Sequence, residues 1–212
     1  MTVTLFTETL PHNTKKLLET FQDSKPGFLQ KFYLSGGTAL SLQLGHRESE
    51  DLDFFTQDNF RPEALQEALV KYGTLQQTEL AKGTLNTFIQ GVKLQFLEYP
   101  YPLIEPFKSW NNIQISSVAD IACTKLQTIG MRGSKKDFID IYFILQNYTL
   151  ENLFALLKQK YLSIDYSQTH ILKSLVYFDD ADAQPMPRMH KQVTWEDVKE
   201  NMKNVIRTFQ FI

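Results

Sequence analysis

The stretch Leu34-Ser35-Gly36-Gly37-Thr38-Ala39-Leu40, followed after a short spacer by Arg47-Glu48-Ser49-Glu50-Asp51-Leu52-Asp53-Phe54-Phe55, decides how this chain is read. In an extended strand Asp51 and Asp53 fall on one face, while Leu52 and Phe54 point to the other and supply core. Their Cα atoms would then lie roughly 6.5 Å apart at about 3.3 Å per residue. Two carboxylates so placed reach a pair of hard cations about 3.5–4 Å apart, and Mg²⁺ with its oxygen preference suits them. Glycines at a strand-to-helix junction let backbone N–H groups approach an anion, and a helix starting near Thr38 aims its positive end at a phosphate. The Thr38 hydroxyl joins that cradle. Each feature alone has a plain reading, a Gly-Gly turn and a solvated acidic edge beside Glu48 and Glu50. Together, with one helix between them, they form a phosphate cradle facing a metal pair.

Working outward, the hydrophobic period changes along the chain, with no internal repeat or low-complexity tract. Lys16 to Phe21 reads as helix and Lys25-Pro26-Gly27 breaks it; Phe28 to Leu34 is short, aromatic and strand-like. Leu40 and Leu44 have helical spacing, Leu52 to Phe55 reads as a buried strand, and Pro62 opens a helix through Tyr72. Leu85 to Ile89 and Val92 to Leu97, set off by Gly83 and Gly91, look like adjacent antiparallel strands. Beyond Pro100 to Pro106 the pattern is helical, with Ser117, Ser134, Thr149 and Thr194 as N-caps. Asp120, Asp137 and Asp197 each stand three residues after a cap and fit a capping box. The expected fold class is therefore α+β, an α/β core over residues 1–110 and a helical C-terminal region over 111–212.

Composition narrows the rest. The chain has 212 residues, and 27 of them, 16 Phe, 9 Tyr and 2 Trp, are aromatic, enough for a dry core. A formal charge of -2 supplies no overall field for a polyanion, so such a partner must meet a local patch. Cys123 is the single cysteine, and His12, His46, His170 and His190 are scattered, which excludes disulfide frameworks and zinc-ligand spacing. Met1 to Thr14 lacks a basic n-region, and no apolar run reaches spanning length, so a cytoplasmic protein without membrane association is expected. From Ile121 to Lys136, Lys125, Arg132, Lys135 and Lys136 appear with no acidic residue, a local basic excess. Lys125 is either a point charge for phosphate or a snorkelling surface lysine. Arg132 is either a phosphate fork or a cap on the preceding helix.

At these residues the chain resembles the AbiEii/AbiGii-type toxins of the nucleotidyltransferase fold, relatives of the DNA polymerase beta-like enzymes. The match lies in the Gly-Gly-Ser/Thr, spacer, Asp-x-Asp signature. It continues in Ala119 to Gln127, which holds the later lysine, and in Arg132-Gly133-Ser134-Lys135-Lys136-Asp137-Phe138-Ile139-Asp140-Ile141-Tyr142. The resemblance spans Leu34 to Leu145 and implies a nucleotidyltransferase-like mixed sheet and an NTP-dependent, Mg²⁺-dependent enzyme. It further implies a toxin of a toxin–antitoxin or abortive-infection system, with RNA such as tRNA, or a protein, as acceptor and a cognate antitoxin. It assigns catalysis to Asp51, Asp53, Lys125 and Asp137, metal binding to Asp51 and Asp53, and nucleotide binding to Gly36, Gly37, Thr38, Ser49, Lys125 and Arg132.

Asp137 has a competing role as the capping-box acid after Ser134, and Asp140 reads as an ion-pair partner for Arg132 or Lys136. Many polymerase beta-like enzymes carry a third metal-binding carboxylate on a neighbouring strand. Here Gln95 stands where that acid is expected, and Glu98 has the parity of the core residues. Two alternatives stay open: a kinase-like phosphotransferase that keeps the site and moves the γ-phosphoryl group to a protein, and, from the Gln95 departure, a degenerate module that binds nucleotide or a partner without turnover.

Overall fold

A computed structural model describes residues 5–162 and 166–210 of the chain. The first four residues of the Met1–Thr14 stretch lie outside the described residues. The chain divides into two compact units, Met1–Pro102 with Pro106–Ser117, and Leu103–Glu105 with Val118–Ile212.

The first unit holds α1 (His12–Ser24), β1 (Tyr33–Ser35), α2 (Gly36–Leu44), β2 (Leu52–Thr56), α3 (Pro62–Leu69), β3 (Leu75–Ala81), β4 (Thr84–Ile89), β5 (Val92–Glu98), β6 (Lys108–Trp110) and β7 (Ile113–Ile115). The strands form a seven-stranded mixed sheet in the order β3-β4-β5-β2-β1-β7-β6. β1 runs antiparallel to β2, while β2 and β5, and β1 and β7, are parallel pairs. Alternation makes one face apolar: Leu52, Phe54, Leu94, Phe96 and Leu85 are buried along β2, β5 and β4. Phe54 and Phe96 stack at 5.1 Å, and Phe21 of α1 meets Phe54 edge-on at 6.3 Å. Each such side chain contributes about 1.5–3 kcal/mol through burial. The opposite face carries the polar members of the same strands.

Two local expectations differ from what forms. Phe28 to Leu34 is not one strand: Gly27–Lys31 is a 3-10 helix and the strand is confined to Tyr33–Ser35. Pro26 fixes the entry, Leu29 N–H bonds the Pro26 carbonyl at 3.0 Å, and Leu29 and Phe32 bury at a spacing of three, so local bonds replace ladder bonds. Residues 111–117 are not helical either. They contain β7, which stays in the sheet of the first unit, and the helical part opens at Val118. Strands of three residues are too short to show a period in sequence.

The second unit contains α4 (Val118–Met131), α5 (Lys135–Ile144), α6 (Leu150–Lys160), α7 (Gln168–Ser174), α8 (Asp179–Asp182) and α9 (Trp195–Thr208). Ser134 caps α5 by accepting from the Asp137 N–H. Thr149 with Asn152, and Thr194 with Asp197, close reciprocal capping boxes. Asp120 does other work. Its carboxylate accepts from the Ile104 N–H at 2.9 Å and pairs with Lys160 at 2.6 Å, both partners being buried. Among the described residues no helix is long and apolar enough to cross a membrane.

Candidate active site

The turn from β1 into α2 is built on two glycines used for different reasons. Gly36 sits at φ +66°, a left-handed conformation that L side chains rarely adopt. A Cβ there would lie 2.9 Å from Asp53 Cγ and closer still to Oδ2. The carboxylate of Asp53 is therefore seated against the Gly36 backbone at the opening of α2. Sheet register explains the approach, since Ser35 is the Cα partner of Asp53. A Cβ on Gly37 would instead meet the Arg47 guanidinium at 2.7 Å and Ser49 Oγ at 3.1 Å.

α2 begins without a capping side chain from Ser35, leaving its first-turn N–H groups without intrahelical acceptors. Those donors and the aligned dipole make this end favourable for an anion. Thr38 is fully buried. Its hydroxyl bonds the Asp51 carbonyl and lies 2.9 Å from Ser49 Oγ, tying the helix start to the segment that carries the acids.

Asp51 and Asp53 are half-buried, and Asp53 is in register with Gln95 on β5, which pairs in turn with Asn86 on β4. The row Ser35–Asp53–Gln95–Asn86 continues to Glu79 on the edge strand β3, and Gln95, the neighbour of Asp53 on β5, is an amide. Among the described residues no group of three or more His, Cys, Asp or Glu side chains could hold a metal. Two carboxylates remain a fitting donor set for Mg²⁺, which keeps several waters and takes its other ligands from substrate phosphates. Glu98 turns away from this row, and its carboxylate accepts from the Phe60 N–H at 3.1 Å.

Arg47 is the residue that sequence reasoning missed: it stands beside Glu48 and Glu50 and draws no role from the pattern. It is 2% exposed, its guanidinium stands against Gly37, and Nη1 donates to the Glu48 carbonyl at 2.8 Å. A single cation inside Arg47 to Glu50, directly before the acid pair, was the available signal.

The cations of the basic stretch from Ile121 to Lys136 lie in the second unit. Lys125 is buried, with Nζ 2.8 Å from Asp137 and 2.6 Å from Asp140. Asp137 also receives the Ser134 hydroxyl at 2.5 Å, so capping and ion pairing share one carboxylate. Asp140 takes Lys125 as a partner. Arg132 is 75% exposed by side chain, with Nε 3.8 Å from Asp137. Lys135 is buried: Nζ donates to the Asp182 carbonyl at 3.3 Å and stands 5.0 Å over the Trp195 ring. Of the four cations, Arg132 and Lys136 are the exposed ones. Cys123, on α4, has its thiol pushed up to about 12 by burial, a rise that the nearby Lys160 ammonium partly offsets.

Comparison with known proteins bears on the family and the fold. The profile of the AbiEii nucleotidyl transferase toxins of type IV toxin–antitoxin systems matches residues 17–211. An uncharacterized protein of Aquifex aeolicus is 39% identical over 189 residues, 86% of this chain and 90% of that one. A Helicobacter pylori structure described as a candidate nucleotidyltransferase superposes with TM-score 0.59 at 18% identity, covering 92% of each chain. MenT4, a nucleotidyltransferase toxin of Mycobacterium tuberculosis, superposes with TM-score 0.53 at 15% identity, covering 94% of this chain and 87% of its own. At such identities the two superpositions establish a shared fold.

Proposed function

The chain belongs to the AbiEii family of nucleotidyl transferase toxins, and on that premise we propose that it moves a nucleotide from an NTP to an RNA acceptor such as tRNA, in the cytoplasm, with Mg²⁺ held by Asp51 and Asp53. The observation that carries this reading is the Asp53 carboxylate seated against Gly36 at the uncapped start of α2. Metal ligand and phosphate donors are then neighbours by construction.

In this mechanism Gly36 and Gly37 present backbone N–H groups to the phosphates, and the α2 dipole adds to their attraction. Arg47, Ser49 and Thr38 fix the turn so that those donors are preorganised. Asp51 and Asp53 supply four carboxylate oxygens for the cation. A Mg²⁺ held by these two carboxylates would supply charge neutralisation at the phosphates and a lowered hydroxyl pKa. An acceptor oxygen bonds to the α-phosphorus in line as the bond to the bridging oxygen breaks, and pyrophosphate leaves. The Gln95 amide cannot take up the acceptor's proton, so that proton departs by another base. In the second unit Lys125 and Asp137 form a locked ion cluster with Asp140, and Arg132 is an exposed cation of the kind that binds phosphate. A cognate antitoxin is the expected protein partner.

A second reading is favoured by one observation: the register partner of Asp53 is an amide. On it the protein binds Mg²⁺–NTP without turnover. Incubation with Mg²⁺, total RNA and either α- or γ-labelled NTP separates the cases. The proposal expects α-label on RNA, lost in Asp51→Asn with Asp53→Asn. γ-Label alone would indicate phosphoryl transfer, and NTP binding without any product would support the degenerate site.

A further inference from the structure

An open groove of about 560 Å³ lies in the first unit, away from the glycine turn in sequence and lined by separate residues. Phe28, in the 3-10 segment Gly27–Lys31, and Phe32, just after it, form one wall; Phe60, Ala64, Leu65 and Ala68, on and before α3, form the other. The floor is rigid, because Phe32 meets Phe60 and Phe96 edge-on at 5.1 Å each. The volume is in the range of specific binding clefts. Its lining contains two charged residues, Lys31 and Arg61, and no acid. Both are exposed, and neither side chain makes a hydrogen bond or ion pair with any described residue.

Unpaired cations beside an aromatic trough are complementary to an apolar ligand flanked by carboxylates. The trough is open along α3, and Ala64 and Ala68, one turn apart, keep that wall low so that another backbone can approach. Such a shape suits a helix laid in a groove, with anchors at i, i+3 or i+4 and i+7, better than an enclosed small molecule. Glu63 and Glu67 occupy the adjoining exposed row of α3 and discourage a carboxylate on that side, which fixes the side on which acidic flanks sit. We propose that this groove docks an acidic amphipathic segment of a protein partner. Its apolar stripe would fill the trough between Phe28 and Ala68, and its carboxylates would face Lys31 and Arg61.

The test is an amide NMR titration of the ¹⁵N-labelled full chain with two synthetic helical peptides. They share a leucine stripe at i, i+3, i+4 and i+7 and carry either glutamate or lysine flanks. The glutamate peptide is expected to shift resonances of residues 27–32 and 59–68, with binding weakened about five- to thirtyfold in Lys31→Glu with Arg61→Glu. The same double variant is expected to gain affinity for the lysine peptide, and Ala68→Trp to block both. Lys31 and Arg61 are exposed and their side chains bond no described residue, so an unchanged thermal melt confirms that the double variant folds. Equal affinity for the two peptides, shifts confined to other residues, or no shift up to about 1 mM peptide would overturn the proposal. So would laurate binding in place of the peptide, or a concentration-dependent dimer that the same variants dissociate. No outcome depends on nucleotide chemistry.

Discussion

Replacing Gly36 by alanine perturbs the site in two ways that the structure separates. The first is conformational: φ of +66° costs a non-glycine residue about 1–2 kcal/mol, which lowers the unfolding midpoint by about 2–8 °C in a chain of this size. The second is local. The new methyl would stand 2.9 Å from Asp53 Cγ, and the carboxylate must move by about 1 Å to clear it. A shift of that size at a metal ligand costs on the order of 10²-fold in rate. Label transfer from α-labelled NTP, measured beside a thermal melt, reads both effects. Gly37→Ala is the control. Its φ is not in the left-handed region, and its nearest neighbour is the far end of the flexible Arg47 side chain, so the loss there is expected to be smaller. A Gly36→Ala protein that melts lower but transfers label within about threefold of the parent would show that the Asp53 position is not tied to the chemistry.

Other outcomes follow from the same structure. Lys125→Met leaves Asp137 and Asp140 as buried carboxylates without their shared cation, and about 3–5 kcal/mol of stability is expected to be lost in denaturant unfolding; a loss below 1 kcal/mol would mean the cluster is wet. Phe54→Ala removes the stacked partner of Phe96 and is expected to cost about 3–5 kcal/mol by the same measurement. Cys123, pushed up to about 12 by burial, stays a thiol near neutrality. A thiol reagent at pH 8 is therefore expected to modify it only after denaturant is added, and rapid labelling of the folded chain would contradict the packing. Thr194→Ala breaks a capping box and is expected to destabilise α9 by about 1 kcal/mol, read as earlier hydrogen exchange in Trp195–Thr208.

Much of the sheet centre was legible because Leu52-Asp53-Phe54 and Val92 to Leu97 alternate cleanly, and alternation assigns faces without tertiary information. The helix starts at Ser134, Thr149 and Thr194 were legible from their caps. What escaped is long-range. Nothing local to Phe28 says that Pro26 and Leu29 will bond in a 3-10 turn, and strands as short as Lys108–Trp110 exist only through their partners. At the site, the acid pair and the glycines were readable as types. The approach of Asp53 to Gly36 depends on β1–β2 register, and the pairing of Lys125 with Asp140 depends on how α4 meets α5. Arg47 was hidden for the same reason: its guanidinium finds Gly37 ten residues back in the chain only once α2 has formed.

The most direct measurement is anomalous scattering from crystals grown with Mn²⁺ and a non-hydrolysable NTP. A manganese peak shared by the Asp51 and Asp53 carboxylates, with triphosphate oxygens at the Gly36 and Gly37 amides, is the expected result. Manganese bound elsewhere, or a triphosphate that does not touch the start of α2, would contradict the account.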